Sequence, residues 1–149
     1  MHYVNVTKKR TQMLLSIKVK TARQGLHSIT EKIATEISKR PNSDGLCTLF
    51  LQHTSASLLI QENYDDSARR DLEKWLNRLV PQGDSIYTHT LEGPDDMPAH
   101  IKSMLTAIQI SIPFTAGKLL LGTWQGIYLW EHRHSEANRK IIMHLSFDQ

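Results

Sequence analysis

The sequence predicts an α+β fold: one domain over residues 1–149, about three helices, and a largely antiparallel or mixed sheet. Three observations lead there. Helical and strand patterns alternate along the whole chain. Several neighbouring strand-like runs are joined by segments too short for a parallel crossover. No internal repeat, low-complexity tract or composition shift divides the 149 residues, a length that suits one domain.

Taken in order, "QMLLSIKVK" (12–20) is apolar and then alternates, which predicts a strand. A helix follows over about 29–39, because Ile29, Ile33 and Ile37 recur every four residues and Ser28 and Glu31 have capping-box spacing. "RPNSDG" ends it with loop chemistry. Strands are expected at 46–53 and 56–61, rich in strand formers. "DDSARRDLEKWLNRLV" (65–80) reads as a helix with Ala68, Leu72, Trp75, Leu76, Leu79 and Val80 on one stripe, capped by Asp65 or Asp66 and stopped by Pro81. A short strand is expected around 85–90 in the polar segment that follows. Ile101, Met104, Leu105 and Ile108 then have helical spacing, with Asp96 as a cap and Pro98 in the first turn. "QISIPF", "KLLLGTW", "GIYLWEHR" and "RKIIMHLSF" complete the chain as four strand-like runs.

Bulk composition narrows the function classes. A net charge of +3 without a Lys/Arg block gives no case for a nucleic-acid partner. No apolar run reaches the ~18–20 residues of a membrane helix, and the N-terminus carries no apolar stretch typical of a signal peptide. The cytoplasm is the expected compartment. Cys47 is the single cysteine, which excludes an intrachain disulfide and a multi-cysteine zinc site. Its place in an apolar strand predicts an inert thiol rather than a nucleophile.

Four clusters have side chains suited to chemistry. His53, Thr54, Ser55 and Ser57 lie at a strand end; hydroxyls there also serve as turn formers. Glu62, Asp65, Asp66 and Asp71 come next. Asp65 and Asp66 have a structural role at a helix start, whereas Glu62 is placed to hold a hard cation or orient an imidazole. His89, Glu92, Asp95, Asp96 and His100 mix imidazole with carboxylate, a donor set for Zn2+, Mn2+ or Fe2+, though no short zinc signature is present. An acidic helix-capping loop is the plain alternative. Finally, alternation over 127–133 places Ile127, Leu129, Glu131 and Arg133 on one face and Tyr128, Trp130 and His132 on the other. Arg133 and Arg139 flank a turn, where two guanidinium groups would suit a phosphate; on spacing alone a cross-strand salt bridge at a sheet edge is the favoured reading. No P-loop, G-x-G-x-x-G or G-x-S-x-G occurs.

The ordered set "HTSASLLIQEN.DD", "EGPDDMPAHI", "IPF..GKLLLGTWQGIYLWEHR" and a closing "R.I" resembles the secondary thiamine-phosphate synthase family, also called YjbQ-like proteins. The resemblance covers about residues 12 to 145, and "SFDQ" departs from the Gly-containing ending expected of it. It implies an α+β homotrimer and a transferase reaction: a hydroxymethylpyrimidine pyrophosphate and a thiazole phosphate are joined with loss of pyrophosphate. The positions that match are His53, Thr54, Ser55, Glu62, Asp65, His89, Asp95, His100, Gly122, Thr123, Trp124, Gln125, Glu131 and Arg133.

That reaction suggests roles. His53, Ser55, Glu62, His89, His100 and Glu131 are catalytic candidates. Thr54, Thr123, Trp124, Gln125, Arg133 and Arg139 would bind a small phosphorylated substrate, with Trp124 as a wall for the pyrimidine. Glu62, Asp65 and Asp95 would hold Mg2+; His53, His89 and His100 would serve Zn2+ or another transition metal instead. A hydrolase on another small substrate and a non-catalytic trimeric ligand-binding protein are the rival readings.

Overall fold

A computed structural model of the chain describes residues 11–148. The opening segment scanned for a signal peptide falls partly outside them. The described elements are β1 (Thr11–Thr21), β2 (Gly25–Ser28), α1 (Thr30–Ser38), β3 (Asp44–Leu51), β4 (Ala56–Glu62), α2 (Asp66–Leu79), α3 (Asp96–Leu105), β5 (Gln109–Thr115), β6 (Lys118–Leu119), β7 (Gln125–Glu131) and β8 (Ala137–Asp148). The expected α+β class and three helices are present. Among the described residues every strand pairing is antiparallel, in two sheets: β1-β8-β3-β5-β6 and β2-β7-β4.

The two sheets enclose the main core. Ile17, Leu49, Ile112, Ile141 and Met143 face it from the larger sheet, Leu58, Ile127 and Leu129 from the smaller, and Ile33 and Ile37 from α1. Tyr128 and Trp130 point the other way from β7, into a second cluster with Leu26, Leu76 and Val80 under α2. The alternation predicted for residues 127–133 holds through His132, with both faces buried, while Arg133 lies beyond β7 and is only partly buried. Cys47 is buried in the main core, and burial pushes its thiol up to about 12, as expected of an inert cysteine. Among the described residues no helix is long and apolar enough to cross a membrane.

Several local expectations are corrected. Ser28 does not cap α1; it pairs with Tyr128 in β2, and Ile29 begins the helix without a side-chain cap. The segment 85–90 forms turns and coil instead of a strand. "KLLLGTW" contributes only the two-residue β6. On α2 the stripe narrows: Leu76 and Val80 are buried, while Trp75 and Leu79 are about half exposed. On α3 the apolar residues Met104 and Leu105 face outward. Its inner face carries Pro98, Ala99, Lys102 and Ser103, and the Ser103 hydroxyl donates to the Ala56 carbonyl. Asp65 caps α2, accepting from Ser67 N–H at 2.7 Å. Asp96 is no cap: it sits in the first turn of α3 and its side chain is spent elsewhere.

Candidate functional site

The predicted residues separate into two groups. β4 and β7 lie side by side with Ala56 opposite Glu131 at one end and Glu62 opposite Gln125 at the other. Six residues of strand span roughly 20 Å. Glu62, Asp65, Thr123, Trp124 and Gln125 therefore occupy the far end of the small sheet from His53, Thr54, Ser55, Glu131 and Arg133. Within one chain, Glu62 and Asp65 do not meet Asp95, so the three carboxylates expected to hold Mg2+ form no common site.

At the Glu62 end, Trp124 is 55% exposed and packs edge-on against Tyr64, 75% exposed, with ring centroids 4.7 Å apart. Gln125 is committed to its own turn, where its Oε1 accepts from Gly122 N–H at 2.9 Å. Thr123 is exposed on that turn.

The other end is built by β7, α3 and the loop before α3. Asp96, in the first turn of α3, and His100, one turn later, share a helix face. His89 reaches them from the loop. His89 Nε2 lies 2.8 Å from Asp96 Oδ2, and His100 Nε2 lies 3.3 Å from the same oxygen. Asp96 is 2% exposed, whereas the side chains of His89 and His100 are 49% and 33% exposed. The His100 ring is oriented from behind by Nδ1–H donating to the Thr54 carbonyl at 3.0 Å.

Arg133 holds this end together. Its Nη1 binds Asp96 Oδ1, its Nε donates to Asp95 Oδ2 at 3.1 Å, and its Nη2 donates to the Glu92 carbonyl at 2.7 Å. His134 N–H also donates to Asp95, at 2.8 Å. Burial would raise the Asp95 carboxyl, but these hydrogen bonds and the Arg133 charge hold it below its ordinary value. Gly93 has φ +109°, and a Cβ there would stand 3.3 Å from Asp95 Oδ1, so the loop approaches this network closely.

The expected pair of phosphate-binding guanidinium groups is not formed. Arg133 is occupied as described, and Arg139, 7% exposed, is paired with Glu131. Glu131 is fully buried; it accepts from Arg139 Nε at 2.7 Å, from Thr21 Oγ1 at 2.9 Å and from Arg133 N–H at 3.0 Å. Burial alone would raise the Glu131 carboxyl, but the bonds to Arg139 leave it lowered. The physical reason is general: a carboxylate between two sheets must be paired, and an arginine on β8 supplies the partner. Glu131 and Arg139 thus hold each other in the framework between the sheets.

His53 is half-buried beside this pair. Its Nε2 accepts from Lys140 N–H at 2.9 Å, and Nδ1 lies 3.4 Å from Arg139 Nη1. Burial and then the Arg139 charge lower its basicity. Its nitrogens are thus turned away from the His89–Asp96–His100 group, and it joins the site as a wall. A cavity of about 350 Å³ is lined by His53, Thr54, His100, Ser103, Met104 and Ile108. A second, of about 230 Å³, is lined by Tyr87, His89, Thr90, Pro94 and Met97 among others. The His–Asp–His group stands between the two. Ser55 contributes its carbonyl, which accepts from His132 N–H at 3.3 Å.

The sequence offers Asp96 both as a helix cap and as a member of the imidazole–carboxylate set; the D-x-x-x-H spacing on a helix is the signal that places it beside His100. The buried contact of Ser57 with His132, 2.9 Å between Oγ and Nε2, and the buried Lys102 have no sequence signal of their own.

Comparison with known proteins agrees with this architecture. The family model described as UPF0047 protein YjbQ-like matches residues 15–148. A UPF0047 protein of Synechocystis sp. is 46% identical over 128 residues, covering 86% of this chain and 87% of the relative. The YjbQ protein of Escherichia coli O157:H7 is 42% identical over 132 residues, 88% of this chain and 94% of its own. Among solved structures, a YbjQ-like protein of Sulfolobus solfataricus P2 superposes with a TM-score of 0.82 at 25% identity, over 93% of this chain and 99% of that one. A yjbq/upf0047 family protein of Clostridium acetobutylicum gives 0.79 at 32% identity, over 88% and 98%. The names of these four proteins state a family and no reaction, so the thiamine-phosphate synthase part of the resemblance stays an expectation. The chain belongs to the YjbQ-like UPF0047 family.

Proposed function

We propose that the protein is an enzyme that works on a small phosphorylated substrate at the His89–Asp96–His100 end. Its reaction, in this reading, joins a hydroxymethylpyrimidine pyrophosphate to a thiazole phosphate. The single observation that carries the reading is the convergence of two imidazoles and a buried carboxylate between two cavities. Such a reaction needs hydrogen-bond donors where negative charge grows on the departing pyrophosphate, and a water-poor wall beside the electron-poor carbon. The imidazoles of His89 and His100 supply polar atoms at the cavity mouths. Met104 and Ile108 supply the apolar wall.

Trp124 and Glu62 enter this reading through assembly. The homotrimer implied by the family resemblance would let one copy present its exposed Tyr64–Trp124 edge to another. Exposed aromatic rings of this size are what subunit interfaces bury. A hydrolase reading uses the same open imidazole–carboxylate group with water as the acceptor of the substrate's phosphoryl group.

The test is direct. Wild-type protein given both phosphorylated substrates should form thiamine phosphate, and His89→Ala and His100→Ala should lose product while remaining folded. No product from the wild type would overturn the transferase reading. Phosphate release that does not depend on the thiazole substrate would replace it with hydrolysis.

A further inference from the structure

We propose that His89, Asp96 and His100 form a binding site for one borderline transition-metal ion of the Zn2+, Fe2+ or Mn2+ class, with Arg133 and the Thr54 carbonyl as its supporting shell. One donor atom from each of His89, Asp96 and His100 lies within 4.8 Å of the other two. Around a tetrahedral ion with bonds of ~2.0–2.1 Å, ligand atoms stand roughly 3.3 Å apart. The Asp96–His100 separation of 3.3 Å already meets this, and the Asp96–His89 separation of 2.8 Å needs a shift of a few tenths of an ångström on an exposed loop.

The hydrogen-bond pattern argues for a cation more strongly than proximity does. A neutral imidazole has one N–H and one lone pair. The Thr54 carbonyl, an acceptor only, claims the N–H of His100 at Nδ1. The lone pair at Nε2 then faces the Asp96 carboxylate across 3.3 Å. Lone pair against carboxylate is repulsive unless a positive centre lies between them, and a proton or a metal ion is such a centre.

The surroundings are also those of a ligand set. Metal-binding histidines characteristically donate their second N–H to a carbonyl or carboxylate, which fixes tautomer and ring angle. His100 does so. Arg133 occupies Asp96 Oδ1, leaving Oδ2 as the single oxygen aimed at the two imidazoles. Arg133 is itself fixed by Asp95 and by the Glu92 carbonyl, so the carboxylate cannot rotate freely. Three protein donors with a half-exposed His89 leave a coordination position for water or substrate. Two imidazoles and one carboxylate are a poor match for Mg2+, which prefers oxygen ligands and retained water.

The experiment uses the full chain, stripped with a chelator, and the metal alone. Equilibrium dialysis and calorimetric titration with Zn2+, Mn2+ and Mg2+ should give about one Zn2+ or Mn2+ per chain, with Mg2+ much weaker. His89→Ala and Asp96→Asn should each weaken Zn2+ binding at least about tenfold, while thermal melting of the metal-free protein changes little for the loop variant. Cobalt added to the wild type should give a visible absorption band that His89→Ala loses. Wild-type protein that binds none of these ions stoichiometrically, or both variants binding Zn2+ as tightly as wild type, would overturn the site. Because no substrate is used, this outcome is independent of the reaction proposed above.

Discussion

Glu131 and Arg139 form a two-pronged ion pair, Nε to Oε2 at 2.7 Å and Nη2 to Oε1 at 2.5 Å, between the two sheets. Their side chains are 0% and 8% exposed. Breaking such a pair strands a charge in the core. We expect Glu131→Gln to cost about 3–5 kcal/mol, whereas replacing both members with apolar residues of similar volume should cost much less. Urea unfolding of the two variants measures this, and equal losses would show that the pair is not acting as a unit.

His132 gives the fold an acid sensitivity. The ring is 1% exposed, and burial, aided by the Lys102 charge, pushes its pKa down to about 3. A histidine with a depressed folded pKa binds its proton in the unfolded chain first. Its stabilising effect is therefore full above the unfolded value near 6.5 and falls as pH drops toward 3, by at most about 1.4 kcal/mol per pH unit. Asp95 and Glu131, both lowered, lose their contributions in the same direction on acidification. Urea midpoints from pH 7 to pH 4 should fall steeply, and less steeply in His132→Asn. An equal slope would remove His132 as the cause.

Arg133 should matter to the metal more than to the main core. Lysine keeps the charge but cannot reach Asp95, Asp96 and the Glu92 carbonyl together. Arg133→Lys is expected to weaken Zn2+ binding about 10–100-fold. The cobalt absorption band reports it separately from stability, since a freed Asp96 Oδ1 would alter coordination.

Gly45 marks a close approach of β3 to β8. A Cβ there would lie 2.0 Å from the Ser146 carbonyl oxygen, which is backbone and cannot yield alone. Gly45→Ala should cost about 1–3 kcal/mol by forcing the strands apart. Chemical denaturation would read this as a lowered midpoint, and an unchanged one would contradict the predicted clash.

Assembly supplies the remaining test. If the Glu62–Trp124 end of one copy completes the imidazole end of another, Glu62→Ala and His89→Ala should each be inactive alone. Oligomers mixed from the two should regain thiamine-phosphate formation, because some sites would then carry neither change. Two inactive variants with no recovery on mixing would confine the site to one copy.

The elements were largely legible because their periodicity is strong. Ile29, Ile33 and Ile37 mark α1, and the alternation of 127–132 survives as two buried faces of β7. What failed was local chemistry overruled by tertiary contacts. Ser28 has capping spacing but is taken by β2 through its pairing with Tyr128. Met104 and Leu105 look like a core face, yet α3 turns Ala99 and Ser103 inward because small residues allow close approach to β4. His89 and His100 were legible as candidates. Asp96 was legible in the same set, but spacing could not tell which of Glu92, Asp95 and Asp96 would face the imidazoles, since a carboxylate at a helix start already has an electrostatic explanation. Nor could spacing tell that Glu131 would pair with Arg139.

Three successive residues at the tip of β7 face three different neighbours. Glu131 turns toward Thr21 and Arg139, His132 toward Ser57, and Arg133 toward the loop that carries His89. That loop is therefore anchored to a strand whose preceding residues belong to both hydrophobic clusters. Amide exchange in the backbone around Arg133 should accordingly report global unfolding rather than local fraying, so ligand seated at this mouth would protect the whole molecule against protease and heat.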